Sequence, residues 1–239
     1  MKTFSLTDIG RVRESNQDYV YTSESPVGNL PNLFIVADGM GGHNAGDFAS
    51  KYTVEQIVSY IEHAPMTSPV DLIRGALNKT NASLMAMAKS EENLNGMGTT
   101  AVIATIVNDC MYVANIGDSR LYLLRDELEQ ITKDHSLVQE MVRMGEMQPS
   151  EARSHPDKNI ITRAVGAFED LEIDFFEQQI RPGDVILMCT DGLSNMVDDT
   201  DIRQILQTGR DVVEKVQHLV EAANRGGGKD NITVAVIEI

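Results

Sequence analysis

The chain lacks tryptophan and has only two cysteines among its 239 residues. It contains no Cys-x-x-Cys pair, so neither a disulfide-stapled secreted scaffold nor a zinc ribbon is expected. We interpret Cys110 and Cys189, which lie beside apolar runs, as small buried hydrophobic residues. Basic residues are also few: 20 Lys and Arg against 36 Asp and Glu give a net charge of −16. Such a charge repels nucleic acid and anionic membrane surfaces, so neither is an expected partner.

Long hydrophobic runs are absent as well. No apolar stretch approaches the ~18 residues that crossing a bilayer requires, and residues 1–8 contain no apolar signal core. We therefore predict a cytoplasmic protein without membrane insertion. Its hydrophobic fraction of 42% and charged fraction of 23% are ordinary for a folded domain. Because no linker interrupts the chain, residues 1–239 are predicted to form a single domain.

Short apolar and β-branched runs predict many strands and few helices. Strands are expected at 33–37, 100–107, 110–116, 121–124, 184–189 and 231–239, with weaker candidates at 2–9, 18–23 and 171–178. Apolar residues at helical spacing predict helices at about 44–63, 68–90 and 210–224, and one more after Asp134. Strands follow strands too often for regular βαβ winding, so the pattern favours an α+β fold with helices packed on mostly antiparallel sheets. The polar segment 143–166, which contains two prolines, is interpreted as a surface excursion within the domain.

Aspartates recur at the ends of the predicted strands. Three strands run into an aspartate, a fourth aspartate precedes the last strand and a fifth opens the 18–23 candidate; they are Asp38, Asp118, Asp191, Asp230 and Asp18. An Asp-Gly pair alone is a common turn signal, so each instance by itself indicates a turn. Several buried carboxylates that converge are tolerable only if cations neutralise them. Oxygen ligands select Mg²⁺ or Mn²⁺, with Ca²⁺ as the alternative.

Other catalytic motifs are incomplete. The pair Gly228-Lys229 lacks the upstream glycine of a P-loop, and the glycine pattern at 96–101 enters a strand rather than a helix, which excludes a dinucleotide site. The chain has no GxSxG elbow and no HExxH helix. Neither cysteine has an arginine six residues later, as a thiol phosphatase loop would require.

Six short motifs occur in order along the chain. They are GRVRESNQD at 10–18, VADGMGGH at 36–43, GMGTT at 96–100, NIGDSR at 115–120, TDGL at 190–193 and GKDNIT at 228–233. This series resembles the metal-dependent protein serine/threonine phosphatases of the type 2C family, in their compact bacterial form. Each motif alone is weak, but six in order, from about residue 5 to the C-terminus, are highly specific. The resemblance implies a four-layer α-β-β-α sandwich of two mostly antiparallel sheets, with 143–166 as the family's flap.

The resemblance also implies a metal centre with two Mn²⁺ or Mg²⁺ ions. Asp38 would bridge the two ions, the Gly39 carbonyl would bind one of them, and Asp191 and Asp230 would bind the other. Asp18 would lie nearby, as a ligand or through water. A weaker third ion would be held by Asp118 together with Asp191.

Two further side chains follow from the resemblance. Arg13 would bind the phosphate, because its planar fork suits phosphate oxygens better than a lysine would. Animal members have Asp-Gly-His, in which the histidine is a proposed general acid; here that position is Met40, and His43 follows three residues later. His43 could supply the proton, shape substrate access or cap the helix that starts near 44, and a metal-bound water is the alternative acid. We interpret His135 as structural, near a helix start.

The implied activity is hydrolysis of phosphoserine and phosphothreonine in proteins by a metal-bridging water. The expected partners are phosphoprotein substrates and a membrane Ser/Thr kinase that the phosphatase opposes. A non-catalytic module that binds phosphoproteins on the same fold is the alternative. Such a module would be expected to have lost a metal ligand, whereas every metal position here is an aspartate.

Overall fold

Two antiparallel sheets form the centre of the protein, as seen in a computed structural model that describes residues 1–42, 45–152 and 155–239. The strands are β1 (Lys2–Asp8), β2 (Asp18–Ser23), β3 (Leu33–Met40), β4 (Gly98–Thr99), β5 (Ala101–Val107), β6 (Cys110–Ile116), β7 (Arg120–Leu124), β8 (Leu128–Gln130), β9 (Asp174–Gln179), β10 (Val185–Cys189) and β11 (Ile232–Glu238). The helices are α1 (Ala45–His63), α2 (Pro69–Ser90), α3 (Leu137–Arg143), α4 (Pro149–Ala152), α5 (Asp191–Ser194), α6 (Asp199–Leu206) and α7 (Val212–Arg225), with a 3-10 turn at Glu92–Leu94.

The strand order shows how the sheets are built. The first sheet runs β1-β11-β10-β7-β8 and the second runs β2-β3-β5-β6-β9, with β4 paired to β3. Every pairing between these strands is antiparallel. The predicted antiparallel layers are therefore confirmed.

Strands in the middle of the molecule are buried on both faces. In β3, Leu33, Ile35 and Ala37 pack under the helices, whereas Phe34 and Val36 pack against the opposite sheet. A strand with two covered faces has a continuous apolar run instead of alternating polarity. This is why the strand could be predicted from its sequence although it shows no period of two.

Helices cover the outer face of each sheet. The helices α1 and α2 pack on the second sheet, and α5, α6 and α7 pack on the first. In α7 the buried stripe Val216, Leu219, Val220 and Ala223 has the three- and four-residue spacing of an amphipathic helix. Its first turn is capped by Asp211, whose carboxylate accepts a hydrogen bond from the Glu214 amide at 2.9 Å. Within the described ranges, no helix combines the length and apolarity needed to cross a membrane.

The structure corrects the predicted elements at several places. The strand β3 does not end at Ala37 but continues to Met40, because Gly39 and Met40 pair with β4. The excursion at 143–166 is not on the surface along its whole length: Val165 is fully buried and exchanges backbone hydrogen bonds with Thr99. Cys189 is buried as expected, but Cys110 is only half-buried because it starts β6 at a hairpin turn.

Candidate active site

A cavity of about 240 Å³ opens where the ends of both sheets meet. Six of the predicted site residues line it: Arg13, Asp38, Gly39, Asp118, Asp191 and Asp230. Asp18 lies directly beside them in β2, opposite Asp38 in the strand register. The remaining predicted residue, His43, lies outside the described residues. The antiparallel pairing thus brings the predicted carboxylates together from distant parts of the chain.

Asp18 and Asp38 are neighbours across two paired strands. Residues opposite each other in an antiparallel pair project to the same face of the sheet. One carboxylate oxygen of Asp18 accepts a hydrogen bond from the Thr190 hydroxyl at 2.8 Å, while its Oδ1 is buried without a partner. The Asp38 backbone is held by the Thr100 hydroxyl, which accepts from the Asp38 amide at 2.9 Å.

Asp191 and Asp230 approach the cavity from the other sheet. Asp191 follows β10 and begins α5, where Asn195 donates from Nδ2 to its Oδ2 at 2.8 Å. Its Oδ1 is buried and has no partner. Asp230 precedes β11 and accepts from its neighbour's amide, that of Asn231, at 2.9 Å. Its Oδ2 accepts from Arg13 Nη2 at 2.8 Å.

Burial makes the charged form of four of the site's aspartates unfavourable. Burial, together with the neighbouring carboxylates, raises the pKa of the Asp18 carboxyl to about 7 and that of Asp191 to about 6. The same two causes raise the pKa values of Asp38 and Asp118 well above their usual range. A cluster of this kind binds positive charge strongly, because a cation removes both the desolvation penalty and the mutual repulsion.

The donor set fits hard divalent cations. Carboxylate oxygens predominate, and two of the buried ones, on Asp18 and Asp191, have no hydrogen-bond partner in the protein. In the described part of the chain, no three His, Cys, Asp or Glu side chains converge closely enough to hold an ion by themselves. Mg²⁺ in proteins is generally held by one or two carboxylates and keeps several waters.

Comparison with known proteins decides which chemistry the site serves. The family model described as protein phosphatase 2C matches residues 10–227. The chain belongs to the protein phosphatase 2C family. The predicted family and its class of activity, dephosphorylation of protein serine and threonine, are thereby confirmed.

Individual members of the protein phosphatase 2C family match along nearly the whole chain. Serine/threonine phosphatase stp of Listeria monocytogenes is 42% identical over 237 residues, which are 97% of this chain and 93% of that protein. A serine/threonine phosphatase of S. agalactiae superposes with a TM-score of 0.93 at 37% identity, covering 100% of this chain and 99% of the other. The catalytic domain of the phosphatase PstP, in complex with two manganese ions, gives a TM-score of 0.86 at 37% identity and covers 98% and 96%. The four-layer fold is confirmed by these structures.

Two residues that shape this phosphatase site, Asn195 and Lys158, were not predicted from the sequence. Asn195 orients Asp191, and Lys158 donates from Nζ to Asn195 Oδ1 at 3.0 Å, which links the flap to the site. The positive charge of Lys158 opposes the rise in the pKa of Asp191. The i, i+4 spacing of Asp191 and Asn195 was the available signal, but α5 is too short to show helical periodicity.

His135 supports the turn that carries Asp118. Its Nδ1 accepts from the Gly117 amide at 3.0 Å, and its own amide donates to the Gly117 carbonyl at 3.0 Å. Burial lowers the pKa of His135, although Asp174 lies 3.2 Å from Nε2. These contacts support the structural interpretation of His135, which lies just before α3.

Gly39 has no room for a side chain. A Cβ at this position would collide with the Gly46 carbonyl oxygen and lie 2.6 Å from that of Gln17. We expect Gly39→Ala to lower the free energy of unfolding by about 1–3 kcal/mol or more, as overpacking does elsewhere. Urea denaturation measures this loss, with Gly209→Ala as control because a Cβ there meets nothing within 4 Å. Equal stability of the two variants would contradict the close approach of these backbones.

Proposed function

We propose that this protein hydrolyses phosphoserine and phosphothreonine side chains of proteins with two divalent cations, Mn²⁺ or Mg²⁺, and a weaker third. The observation that carries the proposal is a group of five carboxylates, one buried and four half-buried, two of which have a buried oxygen without a partner, beside one arginine at a single cavity. The manganese-bound structure of the similar PstP catalytic domain supports the choice of metal.

The aspartates would hold the cations. Asp38 and the Gly39 carbonyl, with Asp191 and Asp230, would form the two-ion site, and Asp18 would assist as a ligand or through water. Asp118 would share the third ion with Asp191. Bound cations would supply Lewis-acid activation of the phosphoryl group and of the attacking water.

Arg13 would bind the phosphate. Its guanidinium donates one described hydrogen bond, to Asp230, and its side chain is 52% exposed. A guanidinium has five N–H donors in a planar fork, so donors remain to reach phosphate oxygens. Asp230 would thus aim the arginine at the phosphate. For the leaving serine or threonine oxygen we propose His43 as the proton donor, on its sequence position alone.

The proposed activity also suggests partners and a location for the protein. We infer that the substrates are phosphoproteins, which the likeness to a serine/threonine phosphatase supports. We further infer that they are cytoplasmic and that a membrane Ser/Thr kinase opposes the enzyme. The two free cysteines suit a reducing compartment. Residues 1–239 would act as a single domain, because Arg13 and Asp230, from opposite ends of the chain, meet in one site.

The direct test is phosphate release from a phosphothreonine peptide. We expect release with Mn²⁺, none with excess EDTA, and none from Asp191→Asn in Mn²⁺. Absence of release from folded protein saturated with Mn²⁺ would overturn the proposal. Capture of the phosphopeptide without turnover would then indicate a binding module.

A further inference from the structure

The loop 9–17, which carries Arg13, has little packing of its own. It contains no helix or strand, and its apolar side chains are largely in solvent: Val12 is 65% exposed and Ile9 is 40% exposed. The Arg13 side chain itself is half exposed. The position of Arg13 must therefore be determined by the contacts that hold the loop to the rest of the protein.

Asn231 fastens both ends of this loop. Its Nδ2 donates to the Ile9 carbonyl at 3.0 Å and to the Ser15 carbonyl at 2.9 Å. Its Oδ1 accepts from the Gln17 amide at 2.9 Å. With 4% exposure, the side chain is buried and uses both of its donors and its acceptor on the loop.

Backbone contacts also hold the same loop against the segment before Asn231. A Cβ on Gly10, where φ is +79°, would collide with the Asp230 carbonyl oxygen and lie 2.8 Å from that of Gly228. The Arg11 amide donates to the Gly228 carbonyl at 2.7 Å. The loop therefore lies against the segment that carries Asp230.

The end of the loop that Asn231 holds is also bonded to Gly39. The Gln17 carbonyl accepts from the Gly39 amide at 3.0 Å and from the Ser50 hydroxyl at 2.6 Å. The Gln17 backbone thus joins the arginine loop to the strand that carries Asp38 and Gly39, and the Asn231 side chain holds the amide of the same residue. Loss of the Asn231 side chain would remove three of the hydrogen bonds that hold the loop, while the backbone bond from the Asn231 amide to Asp230 remains.

We infer that Asn231 is a positioning residue for phosphate binding: it closes the 9–17 loop so that the Arg13 guanidinium lies beside Asp230, facing the cavity. The inference rests on the proposed role of Arg13 in binding phosphate. Asn231 lines the cavity next to Asp230, but its three described side-chain hydrogen bonds all go to the loop that carries Arg13, so we assign its effect to the arginine. Preorganisation of this kind matters because a displacement of about 1 Å can cost roughly 100-fold in catalytic efficiency.

The first measurement compares Asn231→Ala with Asn32→Ala. Asn32 is a matched control: it is 5% exposed, its amide bonds the Ile106 backbone, and it lies six residues from Asp38, roughly 20 Å along β3. We expect Asn231→Ala to raise KM for a phosphothreonine peptide about 10- to 100-fold. Its kcat and its Mn²⁺ activation midpoint should change less than about threefold, and Asn32→Ala should change none of the three. A change in the Mn²⁺ midpoint as large as that in KM would overturn the inference.

A double-mutant cycle with Arg13→Ala separates positioning from a general structural role. We expect Asn231→Ala to raise KM less than about threefold when Arg13 is already absent, because the two side chains act as one unit. Additive effects would overturn the inference. If Arg13→Ala alone left KM unchanged, the proposed role of Arg13 would fail instead. Should Asn231→Ala not fold, Asn231→Ser enters the same cycle with the same criteria.

Discussion

Asp191→Asn is expected to abolish phosphatase activity and, at the same time, to stabilise the metal-free protein. The first effect follows from the loss of a charged ligand to the cations. Such cations contribute several kcal/mol of transition-state stabilisation, so kcat should fall by at least about 1,000-fold. The second effect follows from burial, which raises the pKa of the Asp191 carboxyl to about 6.

The sign of the stability effect depends on pH. A carboxyl whose pKa is higher in the folded than in the unfolded state destabilises the fold once the pH exceeds its unfolded pKa, near 4. The penalty grows from about pH 4 to pH 6 and is complete above. Removing the charge should therefore raise the free energy of unfolding by about 1–3 kcal/mol at pH 7 in EDTA. The advantage should shrink as the pH is lowered from 7 to 5.

Thermal unfolding with and without Mn²⁺ checks this expectation. In EDTA the variant should melt at a higher temperature than the wild type. Saturating Mn²⁺ should reverse the order, because a ligand that binds only the folded state stabilises it in proportion to the logarithm of its concentration. Asp109→Asn, in an exposed hairpin turn, is the control. It should melt at the wild-type temperature both in EDTA and in Mn²⁺. If the variant melts at a lower temperature than the wild type in EDTA, the Asp191 charge does not destabilise the metal-free protein and the prediction is wrong.

The position of the carboxylates could be predicted from the sequence because it follows from strand geometry. Asp18, Asp191 and Asp230 lie at the ends of apolar strands of the two sheets, and these strand ends meet at the same end of the sandwich. The Asp-Gly pair at Asp38 was harder to interpret, since it is also a turn signal. The structure shows no turn there: β3 continues through Gly39, which pairs with Thr99.

Contacts between distant segments could not be predicted in this way. Lys158 contacts Asn195, 37 residues away, and Asn231 contacts Ser15, 216 residues away. Neither contact could be inferred from a local sequence pattern. The burial of the end of the excursion, around Val165, could not be predicted for the same reason. Val165 pairs with Thr99, which lies far earlier in the chain. Composition identified a polar segment, but tertiary pairing determines which part of it lies on the surface.

Arg13→Ala should affect substrate binding rather than turnover. Hydrogen bonds to charged groups contribute about 1.5–3 kcal/mol each, so kcat/KM for a phosphothreonine peptide should fall about 10- to 100-fold, mainly through KM. Inhibition by inorganic phosphate should weaken by the same factor, because product and substrate share this contact. Arg13→Lys should recover little, since an ammonium lacks the planar fork that can contact Asp230 and a phosphate together.

Steady-state kinetics in saturating Mn²⁺, with phosphate as competitor, measure these effects. Arg225→Ala is the control, because this arginine is exposed at the end of α7 and pairs only loosely with Glu221, at 3.5 Å. A fall in kcat with KM unchanged would show that Arg13 acts in the transition state alone. Asp191→Asn is expected to give the opposite signature, with kcat lost. The two variants together would therefore divide the cavity into a part that binds phosphate and a part that activates water.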